Sequence, residues 1–214
     1  MKTKRLIADS MWRLIVLPIV AAAVFTGCIF DKPQKTWQRV AAEKACAELN
    51  GEKDDVRRGA IRDYVKALVS LEKGGDPDRQ FSQGRTLLMM AVIRNDKEMI
   101  ERLLSLDVYA DVDIPDEDSN TPLIVACRKG YADIVKQLIK AGAQVNSQNK
   151  DGTSALMICA YYGYGDIAMV VLKAGADLAL KDKEMATFVD YAKRKNHEDM
   201  IALIKGFQFK EARQ

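Results

Sequence analysis

The chain has 214 residues, of which 48% are hydrophobic, 29% are charged and 7% are aromatic. This is not the composition of a chain that is disordered as a whole. Its formal net charge of +3 arises from the first 27 residues, which carry four basic side chains and one acidic one. Removing them leaves 29 of the 33 basic and 29 of the 30 acidic residues, so the rest of the chain has no electrostatic basis for binding nucleic acid.

The N-terminus has the layout of a secretion signal. Met1–Arg13 is basic, and Leu14–Phe25 is an uncharged run of 12 residues. A helix that crosses a bilayer needs roughly 20 apolar residues, so a run of this length is more typical of the apolar core of a signal peptide. The next residues, Thr26-Gly27-Cys28, resemble the lipobox of bacterial lipoproteins, in which the cysteine receives the lipid.

This resemblance implies a signal peptide over residues 1–27, lipidation of Cys28 and a tether over residues 28–35. Phe25 stands where lipoboxes usually have Leu, Val or Ile, which leaves an ordinary signal peptide or a short anchor helix as alternatives. Ile29, rather than Asp, follows the cysteine. In lipoproteins of this kind that implies the periplasmic face of the outer membrane, with the N-terminal lipid as the only membrane contact.

Residues 36–80 are predicted to form N-terminal helices and a degenerate first copy of a repeat that continues through the rest of the chain. Trp37–Leu49 has apolar residues at helical spacing, among them Val40, and is expected to cover the open end of the stacked repeats. Val56–Glu72 is predicted to be the second helix of the degenerate unit. Its expected buried stripe is Ile61, Val65, Leu68 and Val69.

A repeat of 33 residues follows. Thr121, Ser154 and Thr187 each open a similar segment, and glycines recur in register at positions 130 and 163. An earlier unit opens at Thr86, 35 residues before Thr121, and so contains a two-residue insertion. In that unit Tyr109 takes the place of a capping glycine, at some conformational cost.

The segment that begins Thr121-Pro122-Leu123 resembles the opening T-P-L-H-x-A signature of the ankyrin repeat. The resemblance implies an all-α solenoid of helix-turn-helix units with an N-terminal capping helix. The repeats and a polar C-terminal cap would occupy residues 81–206, with a tail over residues 207–214 in which Phe207 and Phe209 pack back on the cap. Thr121 is expected to be an N-cap, and Gly130 to supply the turn between paired helices.

No catalytic or cofactor-binding motif is apparent, so the chain is predicted not to be an enzyme. His197, the single histidine, aligns with Tyr131 and Tyr164 and is expected to be structural. The spacing of the cysteines does not suit zinc, and Cys46, Cys127 and Cys159 are expected to be small buried apolar residues. Asp116–Asp118 is predicted to be an exposed acidic tip between units rather than a calcium loop.

The ankyrin resemblance implies a protein partner, bound on a concave face made by the loop tips and the ends of the first helices. Tyr161 and Tyr162 are the strongest candidates, because tyrosine combines a large contact area with a polar tip. The complete set of predicted contact residues is Arg94, Glu117, Asp118, Arg128, Lys129, Lys150, Asp151, Tyr161 and Tyr162.

Two functional hypotheses follow from these resemblances. In the first, the protein is a periplasmic immunity lipoprotein that binds and blocks a secreted antibacterial toxin. In the second, it is a scaffold or accessory factor for an envelope enzyme, for example in stress defence. The sequence does not choose between them.

Overall fold

The computed structural model describes residues 37–52, 54–105 and 108–211. These residues form ten α-helices and no strand, which confirms the all-α prediction. The predicted signal peptide, Cys28 and the tether lie outside the described residues, as do the side chains of Phe207 and Phe209. The helices are α1 (Trp37–Gly51), α2 (Asp55–Glu72), α3 (Leu87–Ile93), α4 (Lys97–Leu103), α5 (Pro122–Lys129), α6 (Ala132–Lys140), α7 (Ala155–Tyr162), α8 (Gly165–Lys173), α9 (Phe188–Arg194) and α10 (Glu198–Glu211).

Helices α3 to α10 form four stacked pairs. The first helices α3, α5, α7 and α9 pack in series, and the second helices α4, α6, α8 and α10 pack in a parallel series. Neither helix of a pair can bury its apolar face alone, so the core runs continuously from unit to unit. This is the all-α solenoid of helix-turn-helix units that was predicted.

Local sequence explains where the helices begin and end. The Thr121 hydroxyl accepts a hydrogen bond from the backbone N–H of Ile124 at 3.4 Å, and Pro122 occupies the first turn of α5. Gly130 ends the helix with a left-handed φ of 72°. The predicted N-cap and turn glycine are therefore confirmed.

The turn glycines also touch the next unit. A Cβ added to Gly130 would lie 3.1 Å from the Tyr164 ring, and one added to Gly163 would lie 2.8 Å from the His197 ring. His197 Nδ1 lies 3.1 Å from the carbonyl oxygen of Ala160. The predicted structural role of His197 is confirmed, since its ring packs on the turn of the preceding unit.

The degenerate first unit contains α1 and α2. Helix α1 packs along α2 and buries Ala45 and Leu49, whereas Val40, which was expected on its apolar face, is 49% exposed. Helix α2 covers the predicted second helix and packs in turn against α3. Its predicted stripe is buried at Ile61, Val65 and Leu68, and half-buried at Val69.

Tyr109 adopts the left-handed conformation expected for the residue that replaces a capping glycine, with φ 52°. Among the cysteines, Cys127 and Cys159 are fully buried, as predicted. Cys46 is only half-buried, so the prediction of burial was wrong for this residue.

Candidate functional site

The loop tips that precede each first helix are joined into one edge by backbone hydrogen bonds. Each bond runs from an N–H of one tip to a carbonyl of the preceding tip: Glu117 to Gln83 (3.0 Å), Lys150 to Asp118 (2.9 Å) and Lys183 to Asp151 (3.0 Å). The predicted contact residues Glu117, Asp118, Lys150 and Asp151 all expose their side chains on this edge. The edge therefore presents exposed acidic and basic side chains on a backbone that is held by hydrogen bonds.

Asp116 and Asn120 lie beneath the tips and hold the second one in place. The Asp116 carboxylate accepts hydrogen bonds from the backbone N–H groups of Asp118 (3.0 Å) and Asn120 (2.8 Å). Asp116 is half-buried, so the prediction of an exposed acidic tip is wrong for this residue, whose carboxylate closes the turn. It is right for Glu117 and Asp118.

Asn120 also binds the side chain of Arg128. Asn120 is 4% exposed, and its side-chain oxygen accepts hydrogen bonds from Arg128 (2.7 Å) and Asn149 (3.2 Å). Arg128 is half-buried and belongs to this internal network as well as to the predicted binding face. The neighbouring Lys129 is exposed. The network was not predicted, because it depends on the packing of one tip against the next.

Four aromatic side chains form a tyrosine cluster, which consists of Tyr161, Tyr162, Tyr164 and Tyr191. The Tyr161 ring lies 5.0 Å from Tyr162 and 6.3 Å from Tyr191, both edge-to-face, and Tyr162 stacks on Tyr164 at 5.5 Å. Tyr161 is 37% exposed and Tyr162 is 44% exposed. Each therefore packs one part of its ring within the fold and offers the rest to solvent.

A cation lies against this cluster. The Lys195 ammonium group is 4.3 Å from the centre of the Tyr161 ring, a distance at which the ring face attracts a cation. Lys195 follows α9, so this contact joins the ends of two neighbouring first helices. Tyr161 was predicted to lie on the candidate face, and its contact with Lys195 was not predicted.

Beneath the cluster, Asp182 joins the last tip to α9. The Tyr191 hydroxyl donates to the Asp182 carboxylate at 2.7 Å, and the backbone N–H groups of Glu184 (2.9 Å) and Ala186 (2.8 Å) donate to its other oxygen. Burial raises the pKa of Asp182, but these hydrogen bonds outweigh burial and lower the pKa below its usual value.

At the opposite end of the stack, Arg94 is held within the fold. Its guanidinium group forms an ion pair with Glu48 of α1 and lies 4.7 Å from the centre of the Tyr64 ring. The Tyr64 hydroxyl donates to Asp96 at 3.2 Å. Burial, together with the nearby Asp96 carboxylate, raises the pKa of Tyr64. Of the predicted contact residues, Arg94 is thus the one most occupied by contacts with the first unit.

Within the described part of the chain, no group of three His, Cys, Asp or Glu side chains is placed to hold a metal ion. None of the helices that the structure describes is both long and apolar enough to cross a membrane.

Known proteins share this repeat. A model of ankyrin repeats in three copies matches residues 56–149, and a second model of ankyrin repeats in many copies matches residues 138–192. Together the two matches span more than half of the chain. Ankyrin-repeat proteins are generally binding scaffolds rather than enzymes, so the family implies a role in protein–protein interaction.

Similar segments occur in much longer animal proteins. Alpha-latrotoxin-Lg1a of Latrodectus geometricus is 42% identical over 84 residues, which are 39% of this chain and 6% of that protein. Delta-latroinsectotoxin-Lt1a of Latrodectus tredecimguttatus is 31% identical over 83 residues, 39% of this chain and 7% of that protein. The poly [ADP-ribose] polymerase tankyrase of Caenorhabditis elegans is 33% identical over 99 residues, 40% of this chain and 4% of that protein. The matches cover under a tenth of each relative, and what the chain shares with them is the repeat. Because the two models of ankyrin repeats together span more than half of the chain, it belongs to the ankyrin-repeat family.

Proposed function

We propose that this protein is a lipid-anchored immunity protein of the bacterial cell envelope, which binds a secreted antibacterial toxin and blocks it at the periplasmic face of the outer membrane. The lipobox-like Thr26-Gly27-Cys28 supports the location. The family supports the binding role. A blocker needs a rigid face and a position on the route of the toxin, and it needs no catalytic group of its own.

The binding site is supported mainly by one observation. Tyr161 and Tyr162 are partly exposed, and they lie on a helix that is packed on both sides. Helix α7 lies between α5 and α9, so the rings start from a fixed backbone. Their contacts with Tyr164 and Tyr191 further restrict the ring orientations. An anchor that is ordered before binding loses little conformational entropy when the partner docks.

The surroundings of the cluster fit the usual arrangement of an interface. The rings offer large, partly apolar surfaces, and exposed charges lie on adjacent elements: Lys129 at the end of α5, and Lys150 and Asp151 on the tip before α7. Rim charges of both signs contribute more to partner choice and association rate than to affinity. The partner surface is therefore expected to present an apolar patch bordered by complementary charges.

The proposal is tested with a Tyr161→Ala/Tyr162→Ala double variant against the secreted protein encoded beside this gene. If the rings are the anchor, binding should weaken by about 2–4 kcal/mol, roughly a 30- to 900-fold loss of affinity. Protection of cells against the toxin should fall in parallel. The double Phe variant keeps both rings and should bind nearly as well as the parent. Tyr109→Ala removes a 73% exposed tyrosine that follows a second helix, and it should have no effect.

Calorimetric titration measures the affinity, and thermal unfolding of the same samples measures stability. A loss of aromatic pair contacts is expected to cost the Ala variant about 1 kcal/mol of stability. A folded double variant with undiminished affinity would place the docking surface elsewhere. If the neighbouring gene encodes an envelope enzyme whose activity is maintained rather than blocked on binding, the immunity role is wrong and the protein is a scaffold.

A further inference from the structure

A pocket of about 260 Å³ lies at the N-terminal end of the stack, where α2, the first loop tip and α3 meet. It lies between the degenerate first unit and the first regular one, away from the tyrosine cluster. The residues of its lining that matter here are Gly59, Asp63, Arg85, Met90, Ile93 and Arg94.

The pocket arises where the repeat is irregular. Each of the helices α5 and α7 has a first helix of the neighbouring unit on both sides. On its N-terminal side α3 instead packs against α2, which is the second helix of the degenerate unit. Gly59 of α2 faces open space, since a Cβ added there would meet no heavy atom within 4 Å. The regular lateral packing is therefore incomplete at this point.

Three charged side chains line this pocket, and two of them have partners. Arg94 is paired with Glu48, and Asp63 lies 3.3 Å from the ammonium group of Lys66. The Nε atom of Arg85 is buried, and among the described residues it has no hydrogen-bond partner. A buried N–H donor without an acceptor is costly, and arginine can only donate, so the Arg85 guanidinium group is left without an acceptor although Asp63 also lines the pocket.

We propose that this pocket receives a carboxylate side chain, glutamate or aspartate, from the protein partner, with Arg85 as the donor that binds it. A carboxylate matches the planar fork of a guanidinium group and can take two parallel hydrogen bonds from it. Met90 and Ile93 supply apolar surface for the methylene stem of the ligand. The volume is below the roughly 300–1,000 Å³ of small-molecule sites and suits a single side chain. The inference rests on the proposed function only in that a protein supplies the carboxylate.

The test uses a capped tripeptide, acetyl-Ala-Glu-Ala-amide, titrated into the full chain labelled with ¹⁵N. The side-chain Nε–H resonances of the arginines are followed by NMR. The Arg85 signal should shift in a saturable way, and the matched acetyl-Ala-Gln-Ala-amide should bind at least tenfold more weakly. Equal shifts with the two peptides, or no saturable shift at Arg85, would overturn the proposal.

Two variants, each with a control, separate binding from folding. Arg85→Gln should weaken binding of the glutamate peptide at least tenfold, while Arg79→Gln removes an exposed charge outside the pocket and should leave binding unchanged. Gly59→Leu should fill the pocket and abolish binding without unfolding the protein, since leucine favours helix over glycine. Gly206→Leu is its control, because that glycine of α10 also has open space around it.

Failure of this inference can be told apart from failure of the proposed function. If the peptide does not bind but Tyr161→Ala/Tyr162→Ala still weakens the partner, the pocket proposal alone is wrong. If the peptide binds and the tyrosine variant keeps full affinity, the tyrosine surface alone is wrong.

Discussion

At the scale of single residues, the turn glycines meet two constraints at once. Gly163 has φ 74°, a conformation that costs other residues roughly 1–2 kcal/mol, and it also faces the His197 ring of the next unit. Gly74 has nearly the same φ, 76°, but a Cβ there would meet nothing within 4 Å. The two positions share the backbone requirement and differ in packing.

Gly163→Ala should therefore destabilise the protein by about 3 kcal/mol, and Gly74→Ala by about 1–2 kcal/mol. The excess at Gly163 arises because the new methyl group lies too close to the ring, and overpacking of this kind costs roughly 1–3 kcal/mol. Urea unfolding followed by circular dichroism measures both losses. Equal losses would mean that the His197 ring moves aside at no measurable cost.

At the scale of an element, Asp182 connects the last tip to α9. Its carboxylate receives the Tyr191 hydroxyl and two backbone N–H groups, and these hydrogen bonds lower its pKa. A carboxyl group with a lowered pKa in the folded state stabilises the protein above its unfolded pKa, roughly 4. That stability is lost as the pH falls through the lower, folded value.

Asp182→Asn should accordingly cost about 1 kcal/mol at pH 7, because a neutral amide accepts these hydrogen bonds more weakly. The difference from the parent should persist at pH 5, above the unfolded pKa of roughly 4, and shrink as the pH falls through the lower, folded pKa. Urea unfolding at pH 7, 5 and 3 measures the trend. Asp151→Asn, on the exposed neighbouring tip, should stay within about 0.5 kcal/mol of the parent throughout. A difference at Asp182 that is independent of pH would contradict the assigned role of its charge.

At the scale of the whole molecule, the solenoid ends in polar surface. Lys193, Arg194 and Lys195 are all exposed in the last unit, where a polar C-terminal cap was predicted. Thr187 and Asp190 close the start of α9, where the Thr187 N–H donates to the Asp190 carboxylate at 2.8 Å. Polar side chains and a capped helix start thus end the stack, as a terminal repeat requires.

The tether itself is tested by Cys28→Ala. If Cys28 carries the lipid, this change should move the protein out of the membrane fraction and abolish incorporation of a labelled fatty-acid analogue. Cys46→Ala, which removes a half-buried thiol from α1, should leave both unchanged. Absence of label on the parent protein would remove the basis for the lipid anchor and for the proposed location.

The family and the ends of helices such as α5 could be predicted from the sequence, although α10 runs to Glu211, into the predicted tail of residues 207–214. They depend on neighbours within one unit, such as Thr121 at the start of α5 and Gly130 at its end, and such short-range patterns recur every 33 residues. Exposed positions such as Tyr161 and Tyr162 could be placed on a face for the same reason.

Tertiary structure decided which of those positions are available to a partner. The engagement of Arg128 by Asn120, the contact between Lys195 and Tyr161, and the pocket beside Arg85 all depend on how separate segments approach one another. Periodicity fixes the direction in which a side chain leaves its helix, but it contains no distance to the neighbouring element. The pocket was the least predictable feature, because it forms where α2 replaces a regular first helix beside α3 and the repeat no longer describes the packing.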